Sequence, residues 1–209
     1  MVFVKGPKEK RSRAVGENLL LKAQRSASQK SALIRKPYRP GQHGKRRRML
    51  SEYGTQLLEK QKVRLLYGLT EKQVGKYAAR AKRSKTLAAP DALIQELELR
   101  MDNVVFRSGF APSRSVARHM VSHGHIWVDG RRVDIPSRAL STGSVISIRP
   151  ESKGKKLFSE IQAYLKRYTA PTWLNTDPEQ LKATIVRLPT FDDAQVNADF
   201  AEVMEYYSR

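Results

Sequence analysis

Positive charge in this chain is piled up at one end, and that asymmetry restricts what its first quarter can become. Residues 1–50 carry 15 basic and 2 acidic side chains, whereas residues 151–209 carry 8 basic and 9 acidic ones. The whole chain of 209 residues stands at +20. A segment this basic repels itself unless a polyanion lies against it. Residues 1–50 also hold few apolar side chains among much Lys, Arg, Gly, Pro and Ser. They are expected not to bury enough to fold alone and to order against a partner. No amphipathic, lipid-facing helix accompanies the charge, so nucleic acid is the expected polyanion and a membrane is not.

Other classes drop out for chemical reasons. No run approaches the ~20 apolar residues of a membrane span. The opening Met1-Val2-Phe3-Val4-Lys5-Gly6-Pro7 lacks the apolar core of an export signal, which leaves the cytoplasm as the expected compartment. The chain has no cysteine, so disulfides, a thiolate nucleophile and cysteine-ligated zinc are excluded. No cofactor and no small-molecule substrate are expected.

The pattern changes at Ser51, which can cap a helix with Glu52 in its first turn and Gly68 at its end. Leu57, Leu58, Leu65 and Leu66 recur at near-helical spacing there, with Lys60, Lys62 and Arg64 expected to point elsewhere. Thr70 and Gln73 form a capping box for a second helix, which ends near Lys85 in a basic cluster. Asp91, after Pro90, can cap a third through Leu93, Leu97 and Leu99. Nearer the N-terminus a short helix is expected around Asn18–Lys22.

Residues 100–150 read as a compact unit. Pro112-Ser113 opens a helix running from Arg114 to His123 and closed by Gly124. Val116, Ala117, Met120 and Val121 make its buried stripe, while Arg114 and Arg118 are expected to share the exposed face. Ile126 and Val128, then Asp129-Gly130, then Val133 and Ile135 signal a hairpin, with Val145–Ile148 as a further strand. Beyond Pro150, Phe158, Ile161, Leu165 and Tyr168 outline another helix, Ala183–Leu188 a strand, and Phe200, Val203, Met204 and Tyr207 one side of a last helix.

Several of these segments are similar to one family. Pro40-Gly41-Gln42-His43-Gly44, Ser51-Glu52-Tyr53-Gly54, Leu58–Arg64 and Tyr67-Gly68 resemble bacterial small-subunit ribosomal protein four. Arg100–Val105, Ser122-His123, Val128-Asp129-Gly130 and Val145–Ile148 resemble the RNA-binding module named after it, and Pro171–Leu174 with Glu205–Ser208 fit its tail. The resemblance implies an α+β fold. A discontinuous helical domain (51–98 plus 170–209) follows a basic extension (1–50), and the inserted module with its trailing helix spans 99–169. It implies a structural protein that binds small-subunit ribosomal RNA, nucleates assembly of the subunit body and lies where messenger RNA enters. It also implies contact with ribosomal protein five and an influence on decoding accuracy shared with proteins five and twelve. Many relatives hold zinc through four N-terminal cysteines that this chain lacks.

RNA contact is expected at three places. Lys45-Arg46-Arg47-Arg48 follows Gln42, His43 and glycines that let backbone approach a phosphate. Ser113, Arg114 and Arg118 can offer amide N–H groups and guanidinium forks. His123, Arg131 and Arg132 flank the hairpin. Shape and phosphate recognition are expected rather than base reading. His119, His123 and His125 have metal-like spacing but no carboxylate close in sequence, so no metal is expected. Two alternatives stay open. One is an RNA-modifying enzyme carrying the same module, for which Asp102 would be the catalytic candidate, although a helix boundary accounts for it as a cap. The other is a non-specific nucleic-acid-compacting protein.

Overall fold

The computed structural model describes residues 6–21, 28, 31–46, 49–154, 156–165 and 167–209. They divide into two units, one running through Leu93 and resuming at Val196–Arg209, the other comprising Ile94–Gln195.

The first unit is helical. Ser51 caps α3 (Glu52–Leu66) by accepting from the Gly54 amide, and Thr70 and Gln73 close a reciprocal capping box on α4 (Glu71–Ala81). α4 buries Val74, Tyr77, Ala78 and Ala81. The last helix, α10 (Phe200–Tyr206), packs on α3 and buries Phe200, Val203 and Met204. Tyr207 donates its hydroxyl to Glu71 at 2.8 Å, and Lys82 Nζ donates to the Tyr207 carbonyl at 3.0 Å.

Three expectations about this unit are corrected. Lys60 and Lys62 do not point away from the packed side of α3; both are buried. Lys60 pairs with Glu71 at 2.8 Å, and Lys62 with Glu17 and Glu59 at 2.6 Å each. Their aliphatic stems fill space while the ammonium groups find carboxylates, which makes burial tolerable. The basic N-terminal part is also not wholly without a core. Helix α1 (Lys8–Val15) stops at Gly16, whose φ of 89° suits a C-terminal cap, and Val15 and Leu19 bury against Leu65. No helix forms over Asn18–Leu21, where Leu20 takes a φ of 48°; Lys22 lies outside the described residues. A second short helix, α2, covers Ala32–Arg35.

The second unit is α+β. Helix α5 (Ala89–Glu98) leads in, with Asp91 inside its first turn rather than at its cap. After it come α6 (Met101–Arg107), α7 (Arg114–Ser122), β1 (Ile126–Val128) and β2 (Arg131–Arg132). β3 (Val145–Ile148), α8 (Lys156–Leu165), β4 (Leu174–Asp177), β5 (Lys182–Ile185) and α9 (Phe191–Ala194) complete it. The sheet is antiparallel, in the order β2-β1-β3-β5-β4. Asp129 and Gly130 turn the β1–β2 hairpin with φ of 50° and 75°, the two positive values that an Asp-Gly turn accommodates. Burial alternates along β3 and β5, and their inward side chains join Phe110, Met120, Phe158 and Trp173 in one core.

The boundary expected at residue 170 moves. Residues 170–195 were expected in the helical domain, yet β5 pairs with β3 through Val145↔Thr184 and Ile146↔Ala183. Trp173 is fully buried beside them. Pairing and that indole hold the segment in the second unit, so the chain resumes the first only at Val196.

Candidate nucleic-acid interface

The N-terminal loop is built around one arginine. Arg13 donates from Nε to the carbonyls of Lys36 at 3.0 Å and Tyr38 at 3.1 Å, and its guanidinium lies 5.1 Å from the Tyr38 ring centre. Lys45 approaches the same ring, its Nζ 5.4 Å from the centre. Two bonds tighten the turn, from the Gly44 amide to the Gly41 carbonyl at 3.2 Å and from Arg46 to His43 at 3.1 Å. A Cβ on Gly44 would stand 1.8 Å from the Arg39 carbonyl oxygen, so only glycine fits. The turn leaves Gln42, His43, Lys45 and Arg46 exposed, and Gln42, His43 and Arg46 line an open concavity. Arg47 and Arg48 lie outside the described residues.

On the second unit, Ser113 caps α7 by accepting from the Val116 amide at 3.4 Å. At the other end of α7 the rings of His119, His123 and His125 stand in a row, 6.2 Å between successive centres. His125 holds the inner end through Ser152 at 2.9 Å and the edge of Phe158. Arg132 lies over Gly124, where an added Cβ would be 2.3 Å from Nε. His123, which precedes Gly124 in the chain, and Arg131 and Arg132 are all exposed. Among the described residues no group of three or more His, Cys, Asp or Glu is placed to hold a metal ion.

The expected exposed pair on α7 is corrected. Arg118 is buried, and both its Nε, at 2.8 Å, and its Nη2, at 2.5 Å, donate to Asp102 Oδ2. Arg114 is half-buried, donating to Asn103 Oδ1 at 2.7 Å with its guanidinium over Phe106. α7 packs against α6, and that contact closes the strip of helix next to the apolar stripe. Asp102 is not a cap either. It sits in the first turn of α6 and also accepts from Arg100 at 3.0 and 2.8 Å. Its carboxylate is wholly engaged by two guanidinium groups, an arrangement that supports packing and leaves it unsuited to attack or proton transfer. A second buried carboxylate, Glu98, takes bonds from Asn103 at 2.8 Å and Arg107 at 3.0 and 2.9 Å.

Residues 4–98 match the family described as "Ribosomal protein S4/S9 N-terminal domain", and residues 99–146 match the "S4 domain". The chain is 42% identical to "Small ribosomal subunit protein uS4" of Halothermothrix orenii over 209 residues, all of both chains. It is 43% identical to the proteins of that name from Caldicellulosiruptor bescii and Heliobacterium modesticaldum, over 98% of each chain. The chain belongs to the uS4 family. A uS4-family chain is a structural, RNA-binding protein of the small ribosomal subunit and not an enzyme. Within that family this one is cysteine-free, and its α+β second unit carries the S4 domain. Of the expected contact residues, Gln42, His43, Lys45 and Arg46 in the loop and His123, Arg131 and Arg132 beside the hairpin are exposed.

Proposed function

We propose that this uS4-family chain binds small-subunit ribosomal RNA through its phosphate backbone and nucleates folding of the subunit body. The supporting observation is the exposed cluster of His123, Arg131 and Arg132, held by a rigid hairpin and by close contact of Arg132 with Gly124. Arginines on a fixed scaffold lose little freedom when they engage phosphate. Lys45 and Arg46, carried on the loop that Arg13 ties down, contact messenger RNA where it enters the subunit. Contact with ribosomal protein five, and a joint effect with proteins five and twelve on decoding accuracy, complete the reading. Arg118 is left out of the RNA contacts because Asp102 occupies its guanidinium, and Ser113 serves the α7 cap.

The test is a salt titration of binding to a structured small-subunit RNA fragment. Each neutralised phosphate adds about 0.7–0.9 to the log–log slope, so several contacts give a slope of magnitude above about 4. A nearly flat response between low and moderate salt would contradict a grip on the backbone.

A further inference from the structure

We infer that Tyr164, stacked on Tyr168 at the end of α8, is a platform on which one unpaired base of the bound RNA stacks. The inference rests on the RNA-binding function proposed above and adds to it a contact with a base, where the sites above meet the backbone.

Helix α8 buries Phe158, Ile161 and Leu165, and Tyr168 lies just past its end, four residues after Tyr164. Tyr168 is fixed twice. Its hydroxyl donates to the Arg107 carbonyl at 3.0 Å. Its ring lies against Gly109, where an added Cβ would stand 2.7 Å from Tyr168 Cδ1 and 2.8 Å from Leu165 Cδ2. Glycine at that position, with a φ of 78°, lets the ring seat directly on backbone. Tyr164 stacks on this anchored ring, with 5.4 Å between centres and 28° between planes. Tyr168 covers one side of Tyr164, yet 52% of Tyr164 is exposed, so its other side is open.

Any apolar side chain would serve to shield Tyr168; a flat ring adds a second face for a partner. The surroundings say which partner. Residues 153–167 carry five basic side chains and one acidic, whereas the rest of 151–209 carries three basic and eight acidic. Gln162, Ala163 and Arg167, close to Tyr164 in the chain, are exposed and either polar or small, so they offer a protein partner little apolar area. An aromatic ring in a cationic setting suits single-stranded RNA, whose backbone the cations attract and whose bases stack on the ring. Such stacking tolerates any base, because every base has a π-face. It therefore agrees with recognition by shape. A tyrosine has only two side-chain torsions to fix, and the stack on Tyr168 already restricts them, so little entropy is lost when a base arrives.

The experiment compares two variants of the full chain, with a structured small-subunit RNA fragment that contains unpaired nucleotides as the probe. Tyr164→Leu keeps apolar bulk over Tyr168 and removes the ring; Tyr164→Phe keeps the ring and removes the hydroxyl. Both should melt within a few degrees of the unaltered chain, since the side chain is largely exposed. Tyr164→Leu should weaken binding by about 5- to 150-fold, the equivalent of the ~1–3 kcal/mol of one base–aromatic stack at 1.4 kcal/mol per tenfold. Its log–log salt slope should match that of the unaltered chain, because no phosphate contact is lost. Tyr164→Phe should bind normally. Full affinity of Tyr164→Leu, a loss shared equally by Tyr164→Phe, or a shallower salt slope would each overturn the stacking platform and spare the proposed function, provided the unaltered chain binds. Failure of the unaltered chain to bind that RNA would overturn both.

Discussion

Asp102 and Arg118 show how far a charged residue's partner decides its role. From local sequence Arg118 is a cation on a helix face; its counterion lies sixteen residues earlier on a different helix. Nothing in the spacing of α7 announces that contact, so the residue reads as surface until α6 is placed beside it. Lys60 and Lys62 mislead in the same way, their carboxylates being supplied by Glu71, Glu17 and Glu59. Removing one member of such a buried group leaves the others uncompensated. Asp102→Ala should therefore cost about 3–5 kcal/mol, read in denaturant unfolding. A loss below about 1 kcal/mol would show that water reaches the two arginines. Asp193 gives a pH dependence. Burial alone would raise its carboxyl. Donors from Arg187, Thr190 and Thr172 prevail and hold it well below the usual carboxylate range. A carboxylate so depressed stabilises the fold above its unfolded value, near 3.9, and loses that contribution as pH falls through it toward the folded one. Asp193→Asn should lower the melting temperature at neutral pH and flatten its decline below about pH 4. An unchanged acid limb would mean that other carboxylates govern it. The loop glycines were expected to let backbone approach a phosphate; what the fold shows at Gly44 is an internal constraint, an added Cβ standing 1.8 Å from the Arg39 carbonyl oxygen.

At the scale of elements, local chemistry was easiest to read where one or two residues decide. The caps at Ser51 and Thr70, the Asp129-Gly130 turn and the stop at Gly124 stand where side-chain and backbone preferences put them. The β4–β5 pair was not legible as part of the module's sheet, because pairing with β3 joins residues almost forty positions apart and short strands carry no mark of their partner. Two elements lend themselves to direct perturbation. The hairpin variant Arg131→Ala/Arg132→Ala should weaken RNA binding by about 2–4 kcal/mol, at roughly 1.5–2 per charged contact, with the melt unchanged because both side chains are exposed. A variant that binds as well as the unaltered chain would remove the hairpin from the interface. Tyr207→Phe tests the seating of the C-terminal segment. It deletes the hydroxyl that Glu71 accepts and should cost about 1 kcal/mol, measured by thermal unfolding in parallel with RNA affinity, which should hold.

Across the whole molecule, the charge gradient was the most informative property of the sequence, and the fold explains only part of it. Some of the N-terminal cations are spent internally, as where Arg13 ties the loop at Tyr38. Further cations remain exposed on each unit, Lys45 and Arg46 on the N-terminal loop and Arg131 and Arg132 on the hairpin. Family membership accounts for that surplus as the footing of a chain that works against RNA. A compacting protein with the same charge would spread its contacts over any duplex, whereas a fixed set of cations on two folded units should select a shaped RNA target. The decisive measurement is a hydroxyl-radical footprint of small-subunit ribosomal RNA, with and without the full chain, in excess duplex DNA. Discrete backbone protections that survive the competitor are the predicted result; protections that vanish with the DNA, or none at all, would contradict it.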